Sequence, residues 1–200
     1  KAEVIREDAK QQREQIREAF KNRLELLRAS TTTPARSLGE LKEMIQERRE
    51  MLDDEEASTT PEMRRLFNGA KSMSVAVHAL LASRGLLGGG IGEQVSAIAR
   101  GVDDSAATTT NAEARIQSRG FLTKLLFGGD GKEADLIERE VAQNQARIDA
   151  LTALLAQANV PADIQAELTA QIEALKEAQA RLQNVAQGEK KRWGIFSWRF

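Results

Sequence analysis

The chain of 200 residues contains no cysteine, no tyrosine, one histidine and only three prolines. Without cysteine it can form no disulfide and perform no thiol chemistry, and one histidine leaves the usual zinc ligand sets incomplete. Aromatic residues make up 4% of the chain, which disfavours β-sandwiches and barrels because those folds draw on aromatic and β-branched side chains. Ala, Glu, Gln, Arg and Leu are plentiful instead, so the composition predicts an all-α protein.

The chain has no large excess of charge of either sign. It contains 29 basic and 30 acidic residues, and the formal net charge is -1. A general nucleic-acid-binding protein is usually strongly basic, so this balance argues against a nucleic-acid partner. No uncharged apolar run reaches the length of a membrane span. The nearest candidate, Val75 to Ile91, is interrupted by Arg84 and by clustered glycines. The chain opens at Lys1 without an initiator Met, which is compatible with removal of an upstream segment.

Residues 1–60 are predicted to form a charged arm of two helices. In the first, residues 1–29, acidic residues precede basic ones by three positions beside a narrow apolar stripe. Such a stripe suits a coiled-coil partner and predicts self-association through helices. The run Ser30–Pro34 ends this helix. Ser37 and Glu40 then have the spacing of a capping box, which predicts a second helix from Leu38 to about Glu56.

Residues 61–130 are predicted to form low-charge central helices with a glycine-rich break. Thr60 and Pro61 are a typical helix start, and clustered glycines end that helix near Arg84. A further helix should begin near Ile91, with the run Ala106–Thr110 fraying or bending because of its poor helix propensity. Its predicted packing seam consists mostly of small residues: Val95, Ile98, Val102, Ser105, Thr109, Ala112 and Ile116.

Residues 131–188 carry two apolar seams separated by the short turn Asn159–Pro161. Two helices of similar length with so short a connection must fold back on each other, which predicts an antiparallel coiled-coil hairpin. The polar seam residues Asn144 and Gln179 are interpreted as register markers. The first seam comprises Ile137, Val141, Asn144, Ile148, Leu151 and Leu155, and the second Leu168, Ile172, Leu175, Gln179, Leu182 and Ala186.

Basic and aromatic residues are concentrated just before and just after this hairpin, in residues 119–128 and in the tail, residues 189–200. Because a hairpin brings its first and last residues together, both segments should lie at one end of the molecule. Mixed basic and aromatic segments suit a bilayer interface, where rings enter the headgroup boundary and cations meet anionic lipid. The predicted attachment residues are Arg119, Phe121, Leu122, Lys124, Leu125, Lys190, Lys191, Arg192, Trp193, Phe196, Trp198 and Phe200.

Glycine-rich motifs of nucleotide binding are incomplete in this chain. Gly128–Glu133 has Leu126 where the phosphate loop needs a glycine, and Glu133 where it needs Ser or Thr. Gly88–Gly92 lacks the preceding strand of a dinucleotide fingerprint. Helix capping and close helix crossing explain these glycines, so no cofactor is predicted.

Titratable residues form no defensible catalytic set. His78 lies among apolar residues and is interpreted as a core histidine. The acidic run Asp53–Glu56 lacks the spacing and the glycine of a calcium loop and is interpreted as a solvated helix end. We therefore expect neither a metal site nor an enzyme.

Two parts of the chain resemble known families. Ile91–Arg100 together with Ser105–Thr109 resembles the helical signalling region of bacterial chemoreceptors. Residues 62–200, with Arg115–Arg119 and the junction Phe127–Asp130, resemble uncharacterised helical proteins of ultrasmall candidate-phylum bacteria. The second resemblance implies export and a basic-aromatic tail. It implies no activity, and it favours the cell envelope.

The sequence thus predicts an elongated helical bundle that ends in the hairpin and its tail. The expected function is a non-enzymatic scaffold or tether at a membrane surface or in a protein assembly. One alternative is a nucleic-acid accessory protein that uses the basic tail, with its rings stacked on bases. Another is a membrane-active protein that inserts residues 75–91. An extracytoplasmic, membrane-associated location is favoured, with a cytoplasmic one left open.

Overall fold

The computed structural model describes residues 25, 27, 28, 33–58, 61–88, 90–118 and 129–191. Of these residues, 87% are helical and none lies in a strand. The predicted all-α class is confirmed. The helix predicted over residues 1–29 lies almost wholly outside the described residues.

The described part of the chain forms five α-helices and one short 3₁₀ helix. The 3₁₀ helix, Ser83–Gly85, follows the second α-helix directly, and it lies where the sequence predicts the glycine-rich break. The α-helices are α1 (Leu38–Ala57), α2 (Pro61–Ala82), α3 (Ile91–Ser118), α4 (Gly131–Gln157) and α5 (Ala162–Lys190).

Side chains at the predicted caps fix where two of the helices begin. Ser37 Oγ accepts a hydrogen bond from the Glu40 N–H at 3.2 Å, and Asp130 Oδ1 accepts one from the Glu133 N–H at 3.4 Å. The Glu40 carboxylate accepts from the Arg36 N–H at 2.8 Å, one residue earlier than in a capping box. Each cap satisfies a backbone donor that the first helical turn leaves without a partner.

Helices α2 to α5 pack as a closed ring in which each contacts the next and α5 returns to α2. Consecutive helices run in opposite directions. The C-terminal part of α3 contacts the N-terminal part of α4, where Arg115 Nη1 lies 2.9 Å from Glu133 Oε1. Ser105, earlier in α3, contacts Asn144, later in α4. Helix α1 packs mainly on α2. The arrangement is a helical bundle, as predicted.

One apolar core fills the ring, and the predicted seams of α3, α4 and α5 together with the buried side chains of α2 supply most of it. In α3 the seam is buried except at Ile98, which is partly exposed, and in α4 it is buried except at Val141. Burial of a Leu or Ile side chain contributes about 1.5–3 kcal/mol to the free energy of folding, so the core holds the helices together. The least exposed large side chains include Leu80, Ile116, Ile137, Ile148, Leu151, Leu168, Leu175 and Leu182.

The threonine-rich stretch of α3 does not fray, because α3 is continuous from Ile91 to Ser118, so the prediction of fraying is wrong. Thr109 Oγ1 donates to the carbonyl oxygen of Ser105 at 3.0 Å, and Thr110 Oγ1 donates to that of Ala106 at 2.6 Å. Both threonines are buried. Hydroxyl groups satisfied within the helix, together with burial, outweigh a weak propensity.

The polar seam residues of α4 and α5 face different neighbours. Asn144 Nδ2 donates to Ser105 Oγ on α3 at 2.8 Å. Gln179 Nε2 donates to the Sδ atom of Met73 on α2 at 3.3 Å. These contacts fix α4 against α3 and α5 against α2, whereas the sequence alone suggested a role between α4 and α5.

Candidate functional site

The ends of three helices meet at one end of the bundle. We call it the α3–α4–α5 end and define it by Ser118, residues 129–131 and residues 189–191. The backbone N–H of Asp130 donates to Glu189 Oε2 at 3.4 Å, which joins the start of α4 to the end of α5. Glu189 is 5% exposed, so its carboxylate lies inside this junction and does not face solvent.

Gly129 makes the closest approach at the α3–α4–α5 end. A Cβ atom built on Gly129 would lie 1.9 Å from the backbone oxygen of Glu189. No side-chain-bearing residue fits there without moving the backbone of α5. By contrast, Gly131 and Gly188 have no atoms within 4 Å of the corresponding position. Gly129 therefore allows direct contact between the residue that follows the first basic-aromatic segment and Glu189, the first residue of the tail.

Lys190, one of the predicted attachment residues, bonds within the bundle. Its Nζ atom lies 2.7 Å from Asp135 Oδ1 and also bonds the Glu138 carboxylate, both on α4. The hydrogen bond that Lys190 donates to Asp135, and then the one that it donates to Glu138, raises the pKa of Lys190, and the bond to Asp135 lowers the pKa of Asp135. Lys190 thus ties the last turn of α5 to the first turns of α4.

Lys191 is the other described attachment residue. It caps α5 through its backbone N–H, which donates to the Gln187 oxygen at 3.1 Å, and it is exposed. Ten predicted attachment residues lie outside the described residues. They are Arg119, Phe121, Leu122, Lys124 and Leu125 before α4, and Arg192, Trp193, Phe196, Trp198 and Phe200 after α5.

The segment considered for membrane insertion lies largely inside the bundle. Ala76, Val77, Ala79 and Ala82 of α2 are completely buried. None of the helices in the described ranges combines the length and hydropathy that a membrane span requires. Insertion of residues 75–91 would first require the core of the ring to open.

His78 on α2 is half-buried and is not among the fully buried residues of the core. Burial, and then repulsion from the guanidinium of Arg48, lowers the pKa of His78 to about 4. The ring is therefore neutral near pH 7.

The buried Arg48 and Glu113, together with Arg181, whose side chain is 35% exposed, escaped the sequence interpretation. The burial of Arg48 could have been predicted, because Leu41, Ile45, Arg48 and Leu52 have the 4-3-4 spacing of one helix face. All four are buried in the structure. Glu113 follows Ala112 at the edge of the α3 seam, and Arg181 precedes Leu182. Nothing in those two local patterns distinguishes them from solvated charges.

The acidic and glycine-rich motifs have structural roles. Lys71 of α2 forms an ion pair with Asp53 and lies 3.4 Å from Glu56 Oε2, which ties α2 to the end of α1. A Cβ atom on Gly92 would lie 2.2 Å from the Arg84 oxygen, so this glycine permits close packing. Within the described ranges, no group of His, Asp or Glu is arranged to hold a metal ion. A cleft beside Ser74 and Asp103 encloses about 10 Å³, which is room for roughly one water molecule.

Comparison with known proteins finds no matching family model, no matching curated protein and no matching solved structure.

Proposed function

We propose that this protein is a non-enzymatic helical scaffold or tether that attaches to a membrane surface through residues 119–128 and 192–200. The observation that supports this proposal best is the contact between Gly129 and Glu189. One residue directly follows the first segment, and the other lies in the turn that leads into the second. Both segments therefore adjoin the same end of the bundle.

In this proposal α4 and α5 act as an antiparallel coiled-coil hairpin within an elongated bundle. The 4-3 spacing of their buried seams supports this geometry. So do the contacts of Asp130 with Glu189 and of Lys190 with Asp135, which pair the first turn of one helix with the last turn of the other. The hairpin would hold Gly129 and Lys191, the described residues next to the two segments, at a constant separation.

Two weak membrane contacts held on one rigid body bind more strongly than either contact alone, because the second binding event becomes intramolecular. Aromatic rings would enter the headgroup boundary, and Lys and Arg would meet anionic lipid at about 1 kcal/mol for each charge. Lys191 supplies one such exposed charge at the α3–α4–α5 end. A membrane surface of the cell envelope is the proposed location. A protein assembly that binds the same two segments is the related alternative.

Co-sedimentation with vesicles tests this proposal. The full chain should pellet with vesicles that contain anionic lipid and much less with zwitterionic ones. A chain that ends at Lys191 keeps α5 and the Lys190 ion pairs, yet it should lose most of the binding. A variant with Trp193, Phe196, Trp198 and Phe200 changed to Ala keeps every charge and separates the rings from the electrostatic attraction.

The matched charge controls use arginines that are exposed elsewhere. R192Q/R199Q should weaken pelleting, whereas R64Q/R100Q removes the same charge from the body of the bundle and should leave it unchanged. Equal pelleting of the full chain and the chain that ends at Lys191 would contradict the proposal. A salt-dependent gel shift with single-stranded nucleic acid, together with no pelleting, would favour the nucleic-acid alternative.

A further inference from the structure

A positively charged side chain is buried where residues 27 and 28 meet α1 and α2. Arg48 on α1 is 4% exposed, whereas the adjacent Arg49 is exposed. The Nη2 atom of Arg48 donates to the carbonyl oxygens of Leu27 and Arg28, both at 3.1 Å, and to Ser74 Oγ on α2 at 2.8 Å. One guanidinium thus connects three separate parts of the chain.

The carbonyl groups that Arg48 binds belong to the end of a helical turn. Glu25 and Leu27 are helical and Arg28 is not. The last carbonyl groups of a helix have no partner within it and carry partial negative charge, so they favour a cation. Ser74 Oγ donates to the Leu27 oxygen as well. The donors of Arg48 and Ser74 therefore converge on a helix C-terminus.

Further contacts hold the same turn. Leu27 is 7% exposed, and it lines the cleft formed with Ala70 and Ala106 of α2 and α3. Arg28 Nη2 lies 3.1 Å from Asp104 Oδ1 on α3. The turn is bound to three helices, through an apolar side chain, its backbone carbonyl groups and an exposed ion pair.

We propose that Arg48 and Ser74 form a docking socket for the C-terminal turn of a helix, occupied by Leu27 and Arg28 of the same chain. The socket would anchor the N-terminal segment on the bundle, far in sequence from the proposed attachment segments. Undocking would take the carbonyl groups of Leu27 and Arg28 away from the Arg48 guanidinium, which would keep its contact with Ser74 Oγ on α2. Because one guanidinium on α1 binds both the turn and α2, docking is coupled to the packing of α1 on α2.

Hydrogen exchange of the full chain tests the socket. R48M keeps an unbranched side chain in the same space and removes the donors. Amides in a peptide spanning residues 24–29 should exchange at least about tenfold faster than in the native chain, because charged hydrogen bonds are lost. Peptides from α4 and α5 should be unaffected. R49M removes the neighbouring exposed charge and should match the native chain throughout, so equal rates in R48M and R49M would overturn the proposal.

Two further measurements cover the other outcomes. R48M could raise exchange in α4 and α5 as well, which would indicate a loss of global stability. In that case S74A is the test of the socket, because it keeps the Arg48 charge and removes one contact. S74A should raise exchange only in residues 24–29, and unchanged exchange there would overturn the socket. Light scattering should give the same molar mass for R48M and the native chain. A lower mass for R48M would show that a second copy fills the socket and would overturn its assignment within one chain.

Discussion

The carboxylate of Glu113 on α3 accepts two hydrogen bonds from the guanidinium of Arg181 on α5, at 2.7 and 2.6 Å. Glu113 is 2% exposed. Gly69 on α2 leaves room for this pair, because a Cβ atom there would lie 2.1 Å from Cζ of Arg181. The ion pair therefore fixes α2, α3 and α5 against one another.

Breaking this pair on one side should destabilise the bundle strongly. R181M should lower the free energy of unfolding by about 2–4 kcal/mol, because it leaves the buried Glu113 carboxylate without its partner. E113L should cost less, because the Arg181 side chain is 35% exposed and reaches water. The double variant E113L/R181M should recover much of the loss caused by R181M, since the buried carboxylate is then gone. Urea unfolding monitored by circular dichroism measures all three.

A double-mutant cycle with E113L, R181M and E113L/R181M tests whether Glu113 and Arg181 act as a pair. R115Q removes an exposed pairing with Glu133 and should change the free energy of unfolding by less than about 1 kcal/mol. Strictly additive losses for E113L and R181M would show that the two residues do not act as a pair.

Gly129 should be far less tolerant of alanine than the two glycines near it. G129A places a methyl group against the Glu189 backbone and should lower the free energy of unfolding by about 1–3 kcal/mol through local overpacking. G131A and G188A have open space and should be neutral or stabilise by up to about 1 kcal/mol, since Ala favours helix over Gly. Thermal unfolding of the three variants compares them directly. Equal effects at all three positions would contradict the close contact.

Much of this fold is predictable from the sequence, because the helix boundaries depend on local signals. Ser37, Pro61 and Asp130 lie at or beside helix starts, and the seams of α4 and α5 repeat at helical spacing. Local signals do not report which helix a polar seam residue will face. Asn144 binds α3 because the ring closes through α3 and α4, and this closure is a property of the whole core.

The candidate site is predictable only in part, for a related physical reason. A short turn between two helices is enough to predict that Gly129 and Glu189 lie together. The same local spacing cannot show that Lys190 binds Asp135 and Glu138, because side-chain pairing depends on how α4 and α5 are rotated. Burial of Arg48 likewise depends on residues 27 and 28, which are distant in sequence.

His78 should make the stability of the protein depend on pH in the acidic range. Its pKa is about 4 in the folded chain, against the ordinary histidine value of 6.5, so the unfolded chain binds more protons between these values. The contribution of neutral His78 to the free energy of unfolding is fully present above about pH 6.5 and is lost as the pH falls towards 4. With solvent screening of a half-buried ring, the loss should be about 1–2 kcal/mol.

Urea unfolding of the native chain and H78L from pH 7.5 to pH 4 isolates this effect. The difference between their free energies of unfolding should be constant above pH 7 and should shift in favour of H78L as the pH falls. Carboxylates titrate in both chains and cancel in the difference. A difference that stays constant down to pH 4 would contradict the lowered pKa of His78.

The central claim is attachment to a membrane surface, and intrinsic tryptophan fluorescence tests it most directly. The chain has two tryptophans, Trp193 and Trp198, so all tryptophan emission comes from the tail. On addition of anionic vesicles the emission should shift to shorter wavelength and should be quenched by lipids brominated in their acyl chains. Emission that keeps its wavelength and escapes quenching at saturating vesicle concentration would contradict the account.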